Sequence, residues 1–137
     1  MSRIDFNVKK LESTINTKAS ALIRKVVLDG MKNLVRQSPV DTGRFKANWS
    51  TSINIMDAGT SGTKSKTPYG SLSSPAVFKK SSENIANYKL GQTMFLHNNL
   101  KYALPLEYGT SKQAGAGWIR NTAELLQRKL NELKNIL

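Results

Sequence analysis

The sequence predicts an α+β fold in which long N-terminal and C-terminal amphipathic helices pack on a small antiparallel sheet, with a long flexible loop. Three observations carry that expectation: an apolar stripe at helical spacing from Val8 to Arg36, a period-two stretch from Phe45 to Met56, and a second helical stripe that starts at Trp118. At 137 residues the chain is long enough for one hydrophobic core and too short for two ordinary domains. Residues 1–137 therefore read as one domain with a mobile excursion.

In the first helix Leu11, Ile15, Ala19, Leu22, Val26, Val27, Leu34 and Val35 fall mostly three or four apart, with lysines and arginines in the gaps. Gly30 interrupts the pattern at a cost of about 1 kcal/mol relative to alanine, which points to a bend or a close packing contact. Pro39 should end the helix, because the residue before a proline avoids helical angles and the proline has no N–H to donate. From Phe45 to Met56 the period becomes two. Phe45, Ala47, Trp49, Thr51, Ile53 and Ile55 share one face and Lys46, Asn48, Ser50, Ser52 and Asn54 the other, the pattern of a strand opened by Arg44 and buried on one side.

Residues 58–74, AGTSGTKSKTPYGSLSS, are rich in Gly, Ser, Thr and Lys and read as a mobile loop. A short helix is expected from Pro75 to Tyr88, with Val77, Phe78, Ile85 and Tyr88 turned inward. QTMFLHN, Gln92 to Asn98, is expected as a second strand, and KYALPLEYGT as a turn or short helical piece. In the last helix Trp118, Ile119, Thr122, Ala123, Leu126, Leu130, Leu133 and Leu137 form the stripe, with Glu124 early and Lys129 and Lys134 late, as the helix dipole prefers.

The composition narrows the function classes. With no cysteine there is no disulfide, no thiolate metal site and no cysteine nucleophile. The one histidine, His97, reads as an ordinary polar residue on or beside the second strand rather than a ligand or base. No cofactor or metal is expected. No apolar run approaches the roughly 20 residues of a membrane helix, and MSRIDFNVKK lacks the apolar core of a signal peptide, so a soluble protein made in the cytoplasm is the expectation.

The net charge of +12 suggests a polyanionic partner, but it is spread as +5, +2, +2 and +3 over residues 1–37, 38–74, 75–100 and 101–137. No segment is a basic arm. In GTSGTKS the residue before Lys64 is Thr63, where a phosphate-binding P-loop needs glycine, so that spacing fails.

Asp41-Thr42-Gly43 is the tripeptide found around the catalytic carboxylate of aspartic proteases. There it follows an apolar strand in a nearly all-β chain, and two such carboxylates share a proton. Here it follows a helix and Gln37-Ser38-Pro39, and Arg44 beside it favours an ionised carboxylate. The simpler reading is a turn: Asp41 or Thr42 accepts nearby backbone amides, Gly43 takes a positive φ, and Asp41 is free to bridge to Arg44.

Two segments together extend this. SPVDTGRFKANW, Ser38 to Trp49, and YALPLEYGT, Tyr102 to Thr110, stand in order with a loop between them and a helix on each side. In this the chain resembles the tail-completion or neck proteins of tailed bacteriophages, minor tail components with a P-V-D-T-G-R/K segment and a Y-A-x-x-hydrophobic-E-x-G-T segment. It departs from the pattern where the family often starts the last helix with Pro-aromatic-x-x-Pro and this chain has Gly117-Trp118.

The resemblance implies a non-enzymatic structural protein of the virion, forming a homo-oligomeric ring at the head–tail junction, with connector and tail proteins as partners and DNA passing nearby. It implies no membrane contact and singles out Asp41, Thr42, Gly43, Arg44, Trp49, Tyr102, Glu107, Gly109 and Thr110 as motif, turn or interface residues. Gly109-Thr110 would supply a turn and a capping hydroxyl. Two other classes stay open from the residues alone. One is a basic nucleic-acid module stacking bases on Trp49, Tyr69 and Trp118, and the other is a homodimeric protease using Asp41.

Overall fold

A computed structural model describes residues 8–101, 103–109, 111–133 and 135 of the chain. Tyr102, Thr110, Lys134 and Leu137, and the side chain of Leu11, lie outside the described residues. In chain order the elements are α1 (Val8–Gln37), α2 (Arg44–Ala47), β1 (Ser50–Ile53), α3 (Pro75–Ser82), a 3₁₀ turn (Ile85–Asn87), β2 (Met94–His97), α4 (Ala103–Glu107) and α5 (Trp118–Leu133). The class is α+β, with the helices packed on a two-stranded antiparallel sheet. Among the described residues no helix is long and apolar enough to cross a membrane.

The core forms where α1, α2 and α5 meet. Met31 and Val35 of α1 are completely buried, and Val27 and Leu34 join them around Phe45, Trp49 and Trp118. The three rings pack edge to face, with centroids 5.9 Å apart for Phe45–Trp49 and 6.1 Å apart for both Phe45–Trp118 and Trp49–Trp118. Such pairs add about 0.5–1.5 kcal/mol each beyond the area they bury. Gly30 is explained by contact rather than by a bend: a Cβ there would stand 2.4 Å from the Leu126 side chain, so the missing methyl lets α5 approach α1.

Thr122, within the apolar stripe of α5, is the polar link of that interface. Its Oγ accepts from Asn33 Nδ2 at 3.0 Å and Gln37 Nε2 at 3.3 Å and donates to the Trp118 carbonyl at 3.0 Å. Ala123, expected on the same stripe, is exposed.

The stretch expected as a strand from Phe45 starts instead with one helical turn, α2. Phe45 and Trp49 are four apart, a spacing that puts two side chains on one face of a helix as well as of a strand. The backbone decides for the helix. The Ala47 amide bonds the Gly43 carbonyl at 3.2 Å, and the Asn48 side chain donates back to the Arg44 carbonyl at 2.7 Å. One consequence is that Lys46, assigned to the solvent face, is 0% exposed.

The strand also ends early. Asn54 takes φ 65 and turns the chain after Ile53, leaving Ile55 and Met56 outside the sheet at 83% and 53% exposure.

Residues 58–74, expected as a mobile loop, carry no helix or strand, yet Ser65 and Ser73 are buried and Leu72 packs against the core. The later elements follow the sequence pattern more closely. Pro75 opens α3, Ile85 and Tyr88 are buried, β2 lies inside Gln92–Asn98, and α4 falls within KYALPLEYGT.

The indole N–H of Trp49 donates to Ser38 Oγ at 2.6 Å, and Ser38, fully buried, donates to the Leu34 carbonyl at 2.7 Å. Replacing Trp49 by alanine opens a cavity among three elements, and the expected loss is about 3–5 kcal/mol in unfolding by denaturant. Trp49→Phe is expected to lose less, because a ring remains while Ser38 keeps its acceptor carbonyl and loses only the donor. Equal losses for the two variants would contradict the packing described.

Candidate functional site

The two motif segments converge on the three-ring core and leave between them a groove of about 540 Å³, bordered by Pro39 to Gly43 on one side and by Leu106 and Ser111 to Gln113 on the other. The first border is set by local chemistry. Ser38 ends α1 inside the core, and Pro39 and Val40 run out of it. The Gln113 side chain then bonds both backbone groups of Val40, accepting from its amide at 2.5 Å and donating to its carbonyl at 3.2 Å. Thr42 Oγ accepts the Arg44 amide at 3.3 Å, closing the turn.

Gly43 has φ 83, the left-handed region open to glycine. It also lies under the loop. A Cβ on Gly43 would fall 2.1 Å from the Ser65 carbonyl oxygen, and the Ser65 amide donates to the Gly43 carbonyl at 2.9 Å. Two separate constraints thus require glycine at this position.

Arg44, Lys46 and Asn48 fasten the same loop from α2. Arg44 Nε donates to the Ser61 carbonyl at 2.9 Å. Asn48 grips the same residue from both ends, donating to its carbonyl at 2.9 Å and accepting its amide at 2.8 Å. Lys46 Nζ donates to the Pro68 carbonyl at 3.0 Å and to Ser71 Oγ at 3.4 Å, and burial of the amine lowers its pKa below the usual lysine value. Among the described residues Asp41 makes no ion pair with Arg44, so the expected local bridge is replaced by the bond to Ser61. Asp41 and Thr42 stand exposed on the groove rim.

The second border is an inter-element cap. The Glu107 carboxylate, at the end of α4, accepts the amides of Ile119 at 2.7 Å and Arg120 at 3.3 Å in the first turn of α5. A negative charge there satisfies orphan amides and opposes the positive end of the helix dipole. The Gly117 amide donates to the Glu107 carbonyl at 2.7 Å, and the Trp118 indole donates to the Leu106 carbonyl at 3.2 Å.

Gly109 takes φ 91, and a Cβ there would meet Ala116 at 3.1 Å. Glu107 and Gly109 therefore aim α5, in place of a proline-rich start. The structure brings Trp49 and the Glu107 segment together through Trp118, while Tyr102 and Thr110 lie outside the described residues.

His97 was read from the sequence as an ordinary polar residue, and the structure gives it a specific partner that the sequence did not reveal. Its Nε2 is 2.7 Å from Ser52 Oγ, both residues are buried, and the Asp57 amide also donates to Ser52 Oγ at 3.2 Å. The other face of the ring is held as well. Nδ1 faces Asn99 Nδ2 at 3.4 Å, and that amide nitrogen is fixed as the donor by its bonds to the carbonyls of Asp57 at 2.7 Å and Gly59 at 2.9 Å.

Asn99 spends both amide hydrogens on those carbonyls, and Ser52 Oγ and His97 Nε2 share one hydrogen bond. The pair is a cross-strand tie that also holds the start of the loop. No protein-family model, no curated protein and no solved structure matches the chain.

Gly43→Ala combines strain at a positive φ with a collision against backbone that has no rotamer to move. The expected loss exceeds about 2 kcal/mol in thermal or denaturant unfolding, and a neutral result would contradict the position of Ser65.

Burial lowers the His97 pKa below 6.5, and the charge of Asp57 offsets part of that shift. The unfolded chain thus takes up this proton first. Above pH 6.5 the histidine adds no slope. As pH falls through 6.5 toward the lower folded value, stability drops by at most about 1.4 kcal/mol per pH unit. The difference in unfolding free energy between wild type and His97→Gln, in which the common carboxylates cancel, should show that slope below pH 6.5 and none above it.

Proposed function

We propose that this chain is a non-enzymatic structural protein of a tailed-phage virion, a neck or tail-completion component that forms a homo-oligomeric ring at the head–tail junction and contacts connector and tail proteins. The observation that carries the reading is the division of labour within YALPLEYGT. Leu106 and Glu107 face inward, against the core and the start of α5. Leu104 on α4 and Tyr108 just past its end, four apart, stay 66% and 76% exposed. The inward residues account for the fold; the outward apolar pair stands one turn apart and is left largely uncovered by the described residues. An assembled ring gives it one. The groove beside Asp41 and Thr42 is a second candidate contact, with DNA in the channel near a diffusely basic surface.

The alternatives have less to support them. Trp49 and Trp118, the tryptophans offered for base stacking, are each 4% exposed and committed to the core, which leaves Tyr69 at 43%. Asp41 stands on an exposed turn beside a helix, without a second carboxylate facing it among the described residues.

Light scattering on the purified protein over a concentration series, with and without DNA, separates the three readings. The expected result is a discrete high-order oligomer, or a monomer indifferent to DNA that assembles when other phage structural proteins are added. A monomer whose DNA affinity falls steeply with salt would replace the proposal with the nucleic-acid module. Neither wild type nor Asp41→Asn should cleave peptides, and cleavage that the substitution abolishes would restore the protease.

A further inference from the structure

The outer edge of β2 is used by no part of the described chain. The register sets Ser50 opposite His97, Thr51 opposite Leu96, Ser52 opposite Phe95 and Ile53 opposite Met94, and the Asn54 amide bonds the Thr93 carbonyl at 2.8 Å. Bonded pairs recur at every second residue of an antiparallel ladder. The pairs Ser52–Phe95 and Ser50–His97 are therefore the bonded ones, and the backbone groups of Thr51, Ile53, Met94 and Leu96 point outward.

On the β1 side these groups are occupied. The Thr51 carbonyl accepts Asn84 Nδ2 at 2.6 Å, and the Ile53 carbonyl accepts the Ile55 amide at 2.8 Å. On the β2 side the N–H and C=O of Met94 and Leu96 have no partner among the described residues.

Proteins guard such edges with lysine, proline, a bulge or a covering element, because an open row of donors and acceptors templates another strand. This edge carries no such guard in its sequence. From Leu90 to Leu100 there is no charged residue and no proline, in a chain that carries 21 lysines and arginines.

We infer that the β2 edge is a self-association surface, on which β2 of a second copy adds antiparallel to give a continuous four-stranded sheet. Charge selects the occupant. Two copies at +12 repel wherever basic surfaces meet, and the residues from Leu90 to Leu100 bring no charge of their own to the contact. An acidic partner would instead be drawn to the lysines and arginines elsewhere on the surface. A strand paired antiparallel with its own copy satisfies the two-fold rule that each residue meets its counterpart in both directions. Two strands alone are also marginal, and pairing doubles the sheet. A two-fold pair cannot lie within a ring whose copies all point the same way, so the pairing concerns the free protein and is tested apart from the head–tail reading.

Leu96→Pro tests it. Proline deletes the outward N–H and leaves the bonded pairs of β1 and β2 in place, so the far-ultraviolet dichroism should be retained while the dissociation constant of self-association rises at least about tenfold. Amide exchange on the wild type reads the same edge without a variant, and decides the matter if Leu96→Pro fails to fold. Met94 and Leu96 should be protected at high concentration and exposed on dilution, with Phe95 and His97 protected throughout. Self-association unchanged in Leu96→Pro would overturn the inference. So would Met94 and Leu96 amides that exchange freely at every concentration, or that become protected only when a different protein is added to a chain that stays monomeric.

Discussion

Phe45 and Trp49 come from one part of the chain and Trp118 from another, and their edge-to-face contact is what obliges the two parts to meet. Phe45 and Trp49 lie four residues apart across the end of α2, so they present a two-ring surface only while that helical turn holds. Trp118 opens α5 and can complete the set only if α5 starts at the right point and in the right direction. The Glu107 carboxylate on the first amides of α5, and the Leu106 carbonyl on the Trp118 indole, fix that start. The other end of the contact is fixed by α1, where Ser38 receives the Trp49 indole. Removing direction from any of these three partners loosens the other two.

Around that contact, buried polar groups are placed so that each links elements distant in sequence. Ser38 joins the end of α1 to Trp49, between α2 and β1, Thr122 joins α5 to α1, and Asn98 donates to the Phe45 carbonyl at 2.8 Å, tying the end of β2 to α2. Buried hydroxyls and amides left without partners cost about 1–3 kcal/mol each, so these residues select one arrangement against compact alternatives that satisfy the apolar residues equally well. Lys46 is the extreme member of the set. Among the described residues its amine has no carboxylate opposite and takes the Pro68 carbonyl as its nearest acceptor, which makes burial of the amine depend on the loop remaining in place.

The helices were legible in the sequence because a stripe at spacings of three and four over many residues fits only one period. Gly30 was legible too, since an interior glycine in a long helix needs a packing reason, and Leu126 supplies it. The stretch after Gly43 was misread for a physical cause: residues four apart share a face in a helix and in a strand, and Phe45 and Trp49 are four apart. The intermediate residues break the tie, and Lys46 pointed the wrong way because a charged side chain is normally solvated.

The 58–74 segment was judged from composition, which records how little apolar area is available and nothing about partners. Its anchors are Arg44, Lys46 and Asn48, residues outside the segment itself. In the candidate site, Gly43 and its turn were legible. The capping role of Glu107 and the pairing of His97 with Ser52 were not, because both depend on residues brought together only by the fold.

The same surfaces bear on what the positive charge is for. A basic chain that binds a nucleic acid releases counterions, so added salt weakens the complex. A basic chain that binds its own copies gathers like charges, so added salt screens the repulsion, over a Debye length of about 8 Å at physiological ionic strength, and strengthens the assembly. The diffuse +12 therefore opposes self-association at every surface except uncharged ones, and the outward apolar face of α4 and the bare β2 edge are such surfaces. On this view the charge does not mark a binding site. In the proposed assembly it would restrict where copies meet, hold them apart at low concentration, and leave any polyanion in the vicinity to neutralise the excess.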